Sequence, residues 1–338
     1  MHDHAGTVIG GSDERSGPHA PRAISPAIVG NSSRISSNTI FGGTQSRPTI
    51  ITLRAAIRGS LVGRSRLARA TRRPSVTDHS FIFVGGMHRS GTSMLARLLA
   101  QHPAVSGFSG TGVPEDEGQH LQTVYPMPSP GRQAGRFAFV PDAHRTERSP
   151  LVTPENRERL FAEWSHHWDI SRPYLLEKSP VNLMTTRFLQ ALFPRSYHLV
   201  IVRHPVAVAC ATQKWSDTRP DSLIRHWLRG YECFLADMPH LQRAYVVRYE
   251  RLVEAPDEQL ERILGFLELD RAGLTTKLRP GVNDHYFGRW DMRRRNPAKR
   301  AYLDLVARRY ESRVARFGYS LRDYRRPAVA VPDIPGLS

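Results

Sequence analysis

Four groups of residues in this chain have types and spacing suited to chemistry on an anion. Gly86-Met87-His88-Arg89-Ser90-Gly91-Thr92-Ser93 sets two glycines five apart, a cation between them and two hydroxyls behind. The run nearly meets the phosphate-loop pattern G-x-x-x-x-G-K-[ST], with Thr92 at the lysine position and Arg89 supplying charge from inside the loop. Glycines let a backbone turn tightly and aim several N–H groups at one point, and the start of a following helix adds partial positive charge. An anion is expected there. Further on, Glu115, Asp116, Glu117 and His120 crowd into six residues of a glycine-rich stretch and offer candidates for a general base. Lys178 and Arg203 each close an apolar run, where a fixed cation can stabilise charge on a phosphate oxygen.

His88-Arg89-Ser90-Gly91-Thr92-Ser93 resembles the 5′-phosphosulfate-binding loop of sulfotransferases that use 3′-phosphoadenosine 5′-phosphosulfate (PAPS). It is most similar to the branch with arginine at the loop's cationic position, which includes many carbohydrate and tyrosine sulfotransferases. The cytosolic small-molecule branch has lysine there and tryptophan after the hydroxyls. This chain has Arg89 and Met94, so any aromatic platform for adenine comes from elsewhere. The resemblance implies a catalytic glutamate shortly after the loop's helix: Glu117, with Glu115 next and His120 as a neighbour. Glu177-Lys178-Ser179-Pro180 resembles the heparan-type segment whose lysine contacts the reacting sulfate. As the bridging S–O bond breaks, charge grows on the departing oxygen, and a fixed ammonium stabilises the transition state more than the ground state.

Arg203-His204-Pro205 resembles the family's 3′-phosphate motif, an arginine followed two residues later by proline and eight later by serine. Ala211 stands at the serine position. Thr212, one residue on, offers a hydroxyl rotated by roughly 100° about a helix. Arg248-Tyr249-Glu250-Arg251-Leu252 resembles a segment whose tyrosine lies near the adenine, which implies Tyr249. Residues 279–300, with Arg279, Phe287, Arg289, Trp290 and Arg293-Arg294-Arg295, read either as an exposed basic loop or, by resemblance, as the region from which family members commonly close a basic loop over the nucleotide. The implied reaction is in-line transfer of a sulfuryl group from PAPS to a hydroxyl-bearing acceptor (sugar, tyrosine or small metabolite), with no metal. A phosphate-loop kinase is the rival, but it needs a lysine where Thr92 sits and an acidic strand end for magnesium.

The elements that must position these residues follow from pattern. Ser80 to Val84 is a short apolar strand run, and Met94, Leu95, Leu98 and Leu99 recur at helical spacing behind the loop. Three more strand runs are expected at Tyr174–Leu176, His198–Val202 and Ala244–Arg248, each followed by a helix: Pro180 to Phe193, Val206 to Trp215 and Asp257 to Leu269. Helices are also expected at Glu155–Trp168, Pro220–Met238 and Ala301–Phe317, and Gly107–His120 reads as a loop. The fold class is α/β: a phosphate-loop-like central parallel sheet of at least four strands flanked by helices.

With 338 residues the chain can hold one catalytic domain, residues 79–338, behind a tail of residues 1–78. The tail is rich in Ser, Gly, Arg and Pro, lacks Trp and Tyr, and is expected to be disordered. It carries eleven arginines against four acids, within a formal net charge of +17 for the whole chain. Such a charge suits a solvated extension or an arginine-rich targeting peptide, and it raises a second rival, a basic nucleic-acid-binding protein. Specific nucleic-acid binding is not expected. No apolar run of membrane-spanning length occurs, and the two cysteines, Cys210 and Cys233, fall inside expected helices, which argues against a disulfide framework or a cysteine-based metal site. A cytoplasmic location is the simplest expectation.

Overall fold

The computed structural model describes residues 75–127 and 134–337. The expected disordered tail therefore lies outside the described residues, apart from its last four. Ser75 caps a 3-10 turn, Val76–Asp78, and Val76 is buried in the core, so the folded body starts ahead of residue 79.

Five parallel strands form one sheet in the order β2-β3-β1-β4-β5: β1 Ser80–Gly86, β2 Val105–Gly107, β3 Tyr174–Lys178, β4 Ser196–Val202 and β5 Ala244–Arg248. Buried on both faces, β1 needs no polar alternation, which is why it reads as a continuous apolar run. Alternate side chains enter different cores: Ile82 and Val84 pack with Leu95, Leu99 and Ile201, while Phe81 and Phe83 pack with Trp164, Phe188 and Phe193.

Nine helices flank the sheet among the described residues: α1 Thr92–Leu99, α2 Pro154–Ser165, α3 Thr186–Leu192, α4 Pro205–Thr212, α5 Pro220–Asp237, α6 Tyr249–Glu254, α7 Pro256–Phe266, α8 Val282–Arg294 and α9 Pro297–Ala315. Proline opens five of them, where its missing N–H costs no hydrogen bond.

Several boundaries differ from expectation for local reasons. Pro180–Met184 is a 3-10 turn separate from α3, because the Asn182 side chain donates to the Val84 carbonyl and pins the turn to the end of β1. The helix expected to run from Val206 to Trp215 ends at Thr212, leaving Trp215 beyond it. Residues 279–300 are not a loop: they hold α8 and the start of α9, with Tyr286, Phe287 and Trp290 buried at helical spacing.

Register then sets the site. Val84 pairs with Lys178 and Gly86 with Ile201, so the loop after β1, the end of β3 and the end of β4 meet at the carboxyl edge of the sheet. Open parallel sheets bind ligands at such an edge.

Candidate functional site

The loop between β1 and α1 is held from below. The Tyr231 hydroxyl donates to the Ile201 carbonyl at 2.8 Å and accepts the Met87 N–H at 3.2 Å, tying the loop's first residue to β4. Gly91 has φ +108°, and a Cβ there would lie 2.9 Å from the Tyr249 ring, so both conformation and space require glycine. Arg89 also takes a left-handed conformation, φ 67°, uncommon for a side-chain-bearing residue. Among the described residues, no acceptor takes the N–H groups of His88, Arg89 or Gly91. Ser90 is fully buried and its Oγ has no partner, and the same holds for the buried Nδ1 of His88. Burial, together with nearby Lys178, outweighs Glu117 and pushes His88 below its ordinary pKa. A nest of unpaired donors at a helix start fits a phosphate or sulfate group.

Lys178 is buried at the end of β3. Its Nζ donates to the Glu115 carbonyl at 2.8 Å and to Glu117 Oε1 at 3.2 Å. Glu117 is also buried, accepts from Gln119 Nε2 at 2.5 Å, and has His120 Nε2 at 3.7 Å. Burial by itself would raise this carboxyl. His120, Lys178, His88 and Gln119 together outweigh that and hold it below its ordinary value, so it is ionised at neutral pH. The structure thus brings together three residues singled out from sequence, Glu117, His120 and Lys178. Glu115 stands apart from this pair. Its carboxylate accepts from Ser93 Oγ at 3.1 Å, lies 3.8 Å from Arg97, and faces a cavity of about 500 Å³. Lys178, Ser93 and Phe108 line the same cavity.

Glu177 was not singled out by its sequence context. It is fully buried on the other face of β3. Its carboxylate accepts from the Gly118 N–H at 3.0 Å and from Ser179 Oγ and Asn182 Nδ2 at 2.5 Å each, while Ser179 Oγ accepts the Gln119 N–H. Burial raises its pKa to about 7 despite these donors. These bonds fix the backbone that carries Glu117. A glutamate inside a strand gives no periodic signal of such a task.

Arg203 is buried at the end of β4. Nη1 donates to the Arg89 carbonyl at 2.9 Å, Nε to Asn283 Oδ1 at 2.8 Å, and Nη2 has no partner. Its guanidinium lies 4.0 Å from the Tyr249 ring centre and 5.3 Å from that of Tyr286. Tyr249 is therefore placed between the loop and Arg203. Thr212 is buried and its hydroxyl donates to Val208 at 2.8 Å, so its hydrogen is turned into its own helix. Arg89 lies 4.4 Å from the ring of Trp215, an aromatic residue 54% exposed. Neither Asn283 nor Trp215 was foreseen. Each reaches the site across a long chain separation, which leaves no local pattern.

Outside this set, His144, Cys233 and Asp237 place one donor atom each within 4.8 Å of one another. His144 and Arg187 both pair with the Asp237 carboxylate, at 2.8 and 3.4 Å, so protein cations already compensate it. No helix among the described residues is long and apolar enough to cross a membrane.

Comparison with known proteins agrees with the site's character. The chain is 28% identical over 219 residues to nodulation protein NoeE of Sinorhizobium fredii, covering 57% of this chain and 51% of that one. It is 26% identical over 197 residues to protein-tyrosine sulfotransferase 2 of Gallus gallus, covering 55% and 50%. The chain thus spans about half the length of these curated relatives. Among solved structures, it is similar to a sulfotransferase from Alicyclobacillus acidocaldarius, with 16% identity, 73% of this chain and 99% of that one covered, and a TM-score of 0.42. The model of the sulfotransferase family matches residues 81–273, more than half of the chain, which therefore belongs to that family.

Proposed function

We propose that the chain transfers the sulfuryl group of PAPS to an acceptor hydroxyl. The observation that carries this reading is the buried Lys178–Glu117 pair, 3.2 Å apart, beside a loop whose Ser90 hydroxyl and whose His88, Arg89 and Gly91 N–H groups have no partner among the described residues. Glu117 is the general base: its carboxylate takes the proton of the acceptor hydroxyl as the oxygen attacks sulfur. The new S–O bond forms as the bridging S–O bond to the 5′-phosphate breaks, and adenosine 3′,5′-bisphosphate leaves. Lys178 and Arg89, with the loop N–H groups, stabilise the charge that grows on the departing phosphate. His120 keeps Glu117 ionised. Trp215 supplies the exposed aromatic surface next to Arg89. The acceptor approaches through the cavity that Lys178, Ser93 and Phe108 line, and its polar and aromatic walls suit a sugar, a tyrosyl group or a small hydroxylated metabolite. The reaction as proposed uses no metal.

Calorimetric titration with adenosine 3′,5′-bisphosphate, adenosine 5′-phosphate and ATP, with and without magnesium, tests the donor. Preference for the bisphosphate without magnesium supports the proposal. Binding of ATP that requires magnesium, with no preference for the bisphosphate, overturns it in favour of phosphoryl transfer.

A further inference from the structure

Neither the core nor the site uses the outer face of α9. The inner face is committed: Leu303, Val306, Ala307, Tyr310 and Val314 are buried. At about 3.6 residues per turn, Ala298, Ala301, Leu305, Arg308, Arg309 and the capping Arg316 fall together on the opposite side, and all are exposed. Charge here has one sign. Residues 289–316 carry ten Lys and Arg against three acids, and each of those acids is engaged. Tyr324 and Arg325 hold Asp291, Arg294 lies 2.7 Å from Asp304, and Glu311 accepts the Leu321 and Arg322 N–H groups at 2.8 and 3.1 Å. Arg295, Lys299, Arg308, Arg309 and Arg316 are thus exposed with no carboxylate partner among the described residues.

Water solvates exposed cations, so charge alone names no partner. The apolar side chains set among them do. Met292, in the last turn of α8, and Leu305, on the outer face of α9, are 61% and 56% exposed, the two highest values for any large hydrophobic residue described. Trp215, third at 54%, adjoins the same corner. Gln213, two residues before it, accepts from Arg293 Nη1 at 2.5 Å and lines a cavity of about 300 Å³ with Lys299, Tyr302 and Leu303. The phosphates of a polynucleotide would engage the cations and leave Met292 and Leu305 in water. A bilayer surface with anionic headgroups takes both: the headgroups meet the cations, and the apolar side chains enter the boundary between headgroups and acyl chains.

We infer that the outer face of α9, together with Met292, is a docking surface for an anionic lipid bilayer. The helix lies along the membrane and does not enter it, since its inner face stays packed on the core. Arg308, Arg309 and Arg316 supply the attraction, and Leu305 and Met292 supply the apolar contact. The surface is separate from the loop between β1 and α1, so docking does not depend on PAPS.

The experiment is co-sedimentation of the full chain with vesicles of phosphatidylcholine alone and of phosphatidylcholine mixed with phosphatidylserine, at low and high salt. Two double variants are compared with it, Arg308→Glu with Arg309→Glu and Met292→Ser with Leu305→Ser. Melting curves verify folding, and Arg308→Gln with Arg309→Gln replaces the charge reversal should that chain fail to fold. The unmodified chain should bind the mixed vesicles, less so at high salt, and leave the neutral ones in suspension. Reversing two cations should weaken binding at least about tenfold, and the serine pair should weaken it several-fold at unchanged charge. Full binding by the charge variant places the contact elsewhere, in the basic residues 1–78 for instance, and overturns the inference. Full binding by the serine variant removes the apolar contact and overturns it as well. So does an oligonucleotide that binds more tightly than the mixed vesicles and depends on Arg308 and Arg309 but not on Leu305, which assigns the face to nucleic acid.

Discussion

Replacing Lys178 by methionine keeps the side chain's length and apolar body but removes an ammonium 3.2 Å from the buried Glu117 carboxylate and 2.8 Å from the Glu115 carbonyl. Breaking a buried ion pair from one side costs about 3–5 kcal/mol, because the remaining charge stays buried and unpaired. Here His120 at 3.7 Å and Gln119 at 2.5 Å remain against Glu117, so the lower end, about 3 kcal/mol, is expected near pH 8. The sign with pH follows from the carboxyl. In the unmodified chain its pKa lies below the ordinary 4.5, so its contribution is present above that pH and is lost as pH falls through the folded value. In Lys178→Met one of the groups that hold this carboxyl down is gone and its folded pKa moves up, so the penalty is smallest at acid pH, where the carboxyl is protonated, and grows as pH rises. The stability gap between the two chains must therefore widen from acid to alkaline pH. Urea unfolding followed by tryptophan fluorescence at several values between pH 4.5 and 8 measures it. A gap independent of pH, or below about 1 kcal/mol at pH 8, would refute the pairing as described.

Three further outcomes are expected. Gly118→Ala drives a Cβ to 2.5 Å from Glu177 Cγ, so the turn must shift; about 1–3 kcal/mol of stability should go in thermal unfolding, with transfer rate falling as Glu117 is displaced. Gly91→Ala combines a left-handed backbone with a 2.9 Å approach to Tyr249, and weakened bisphosphate binding measured by calorimetry is expected alongside a loss of about 1–3 kcal/mol. Trp215 is 54% exposed while Trp164, Trp168, Trp227 and Trp290 are buried, so acrylamide should quench mainly Trp215. Bisphosphate binding should change that quenching, and Trp215→Phe should abolish the change; a change that persists places the ligand elsewhere.

How much of this was legible depended on whether the signal was local. The β1-loop-α1 unit announces itself because the apolar period switches within a few residues and glycines mark the turn. Lys178 and Arg203 were visible as cations closing strand runs. β2 was missed because Val105-Ser106-Gly107 is too short to show alternation. α8 was read as a basic loop because its charges obscure the spacing of Tyr286, Phe287 and Trp290, which decides the fold once they are buried. Glu177 and Asn283 were illegible for another reason. Each matters through bonds to residues tens of positions away, and such bonds have no signature in a neighbourhood of sequence.

The strand order also bears on synthesis. β1 lies in the middle of the sheet, yet its hydrogen-bonded neighbours are β3 and β4, and Tyr249 beneath Gly91 emerges some 160 residues after it. At roughly 5–20 residues per second, the ribosome leaves this apolar strand and its loop without partners for several seconds or more. The part of the site made first is thus the last to be supported, and until β3 and β4 are made β1 is an unpaired apolar strand of the kind that exposes a nascent chain to aggregation.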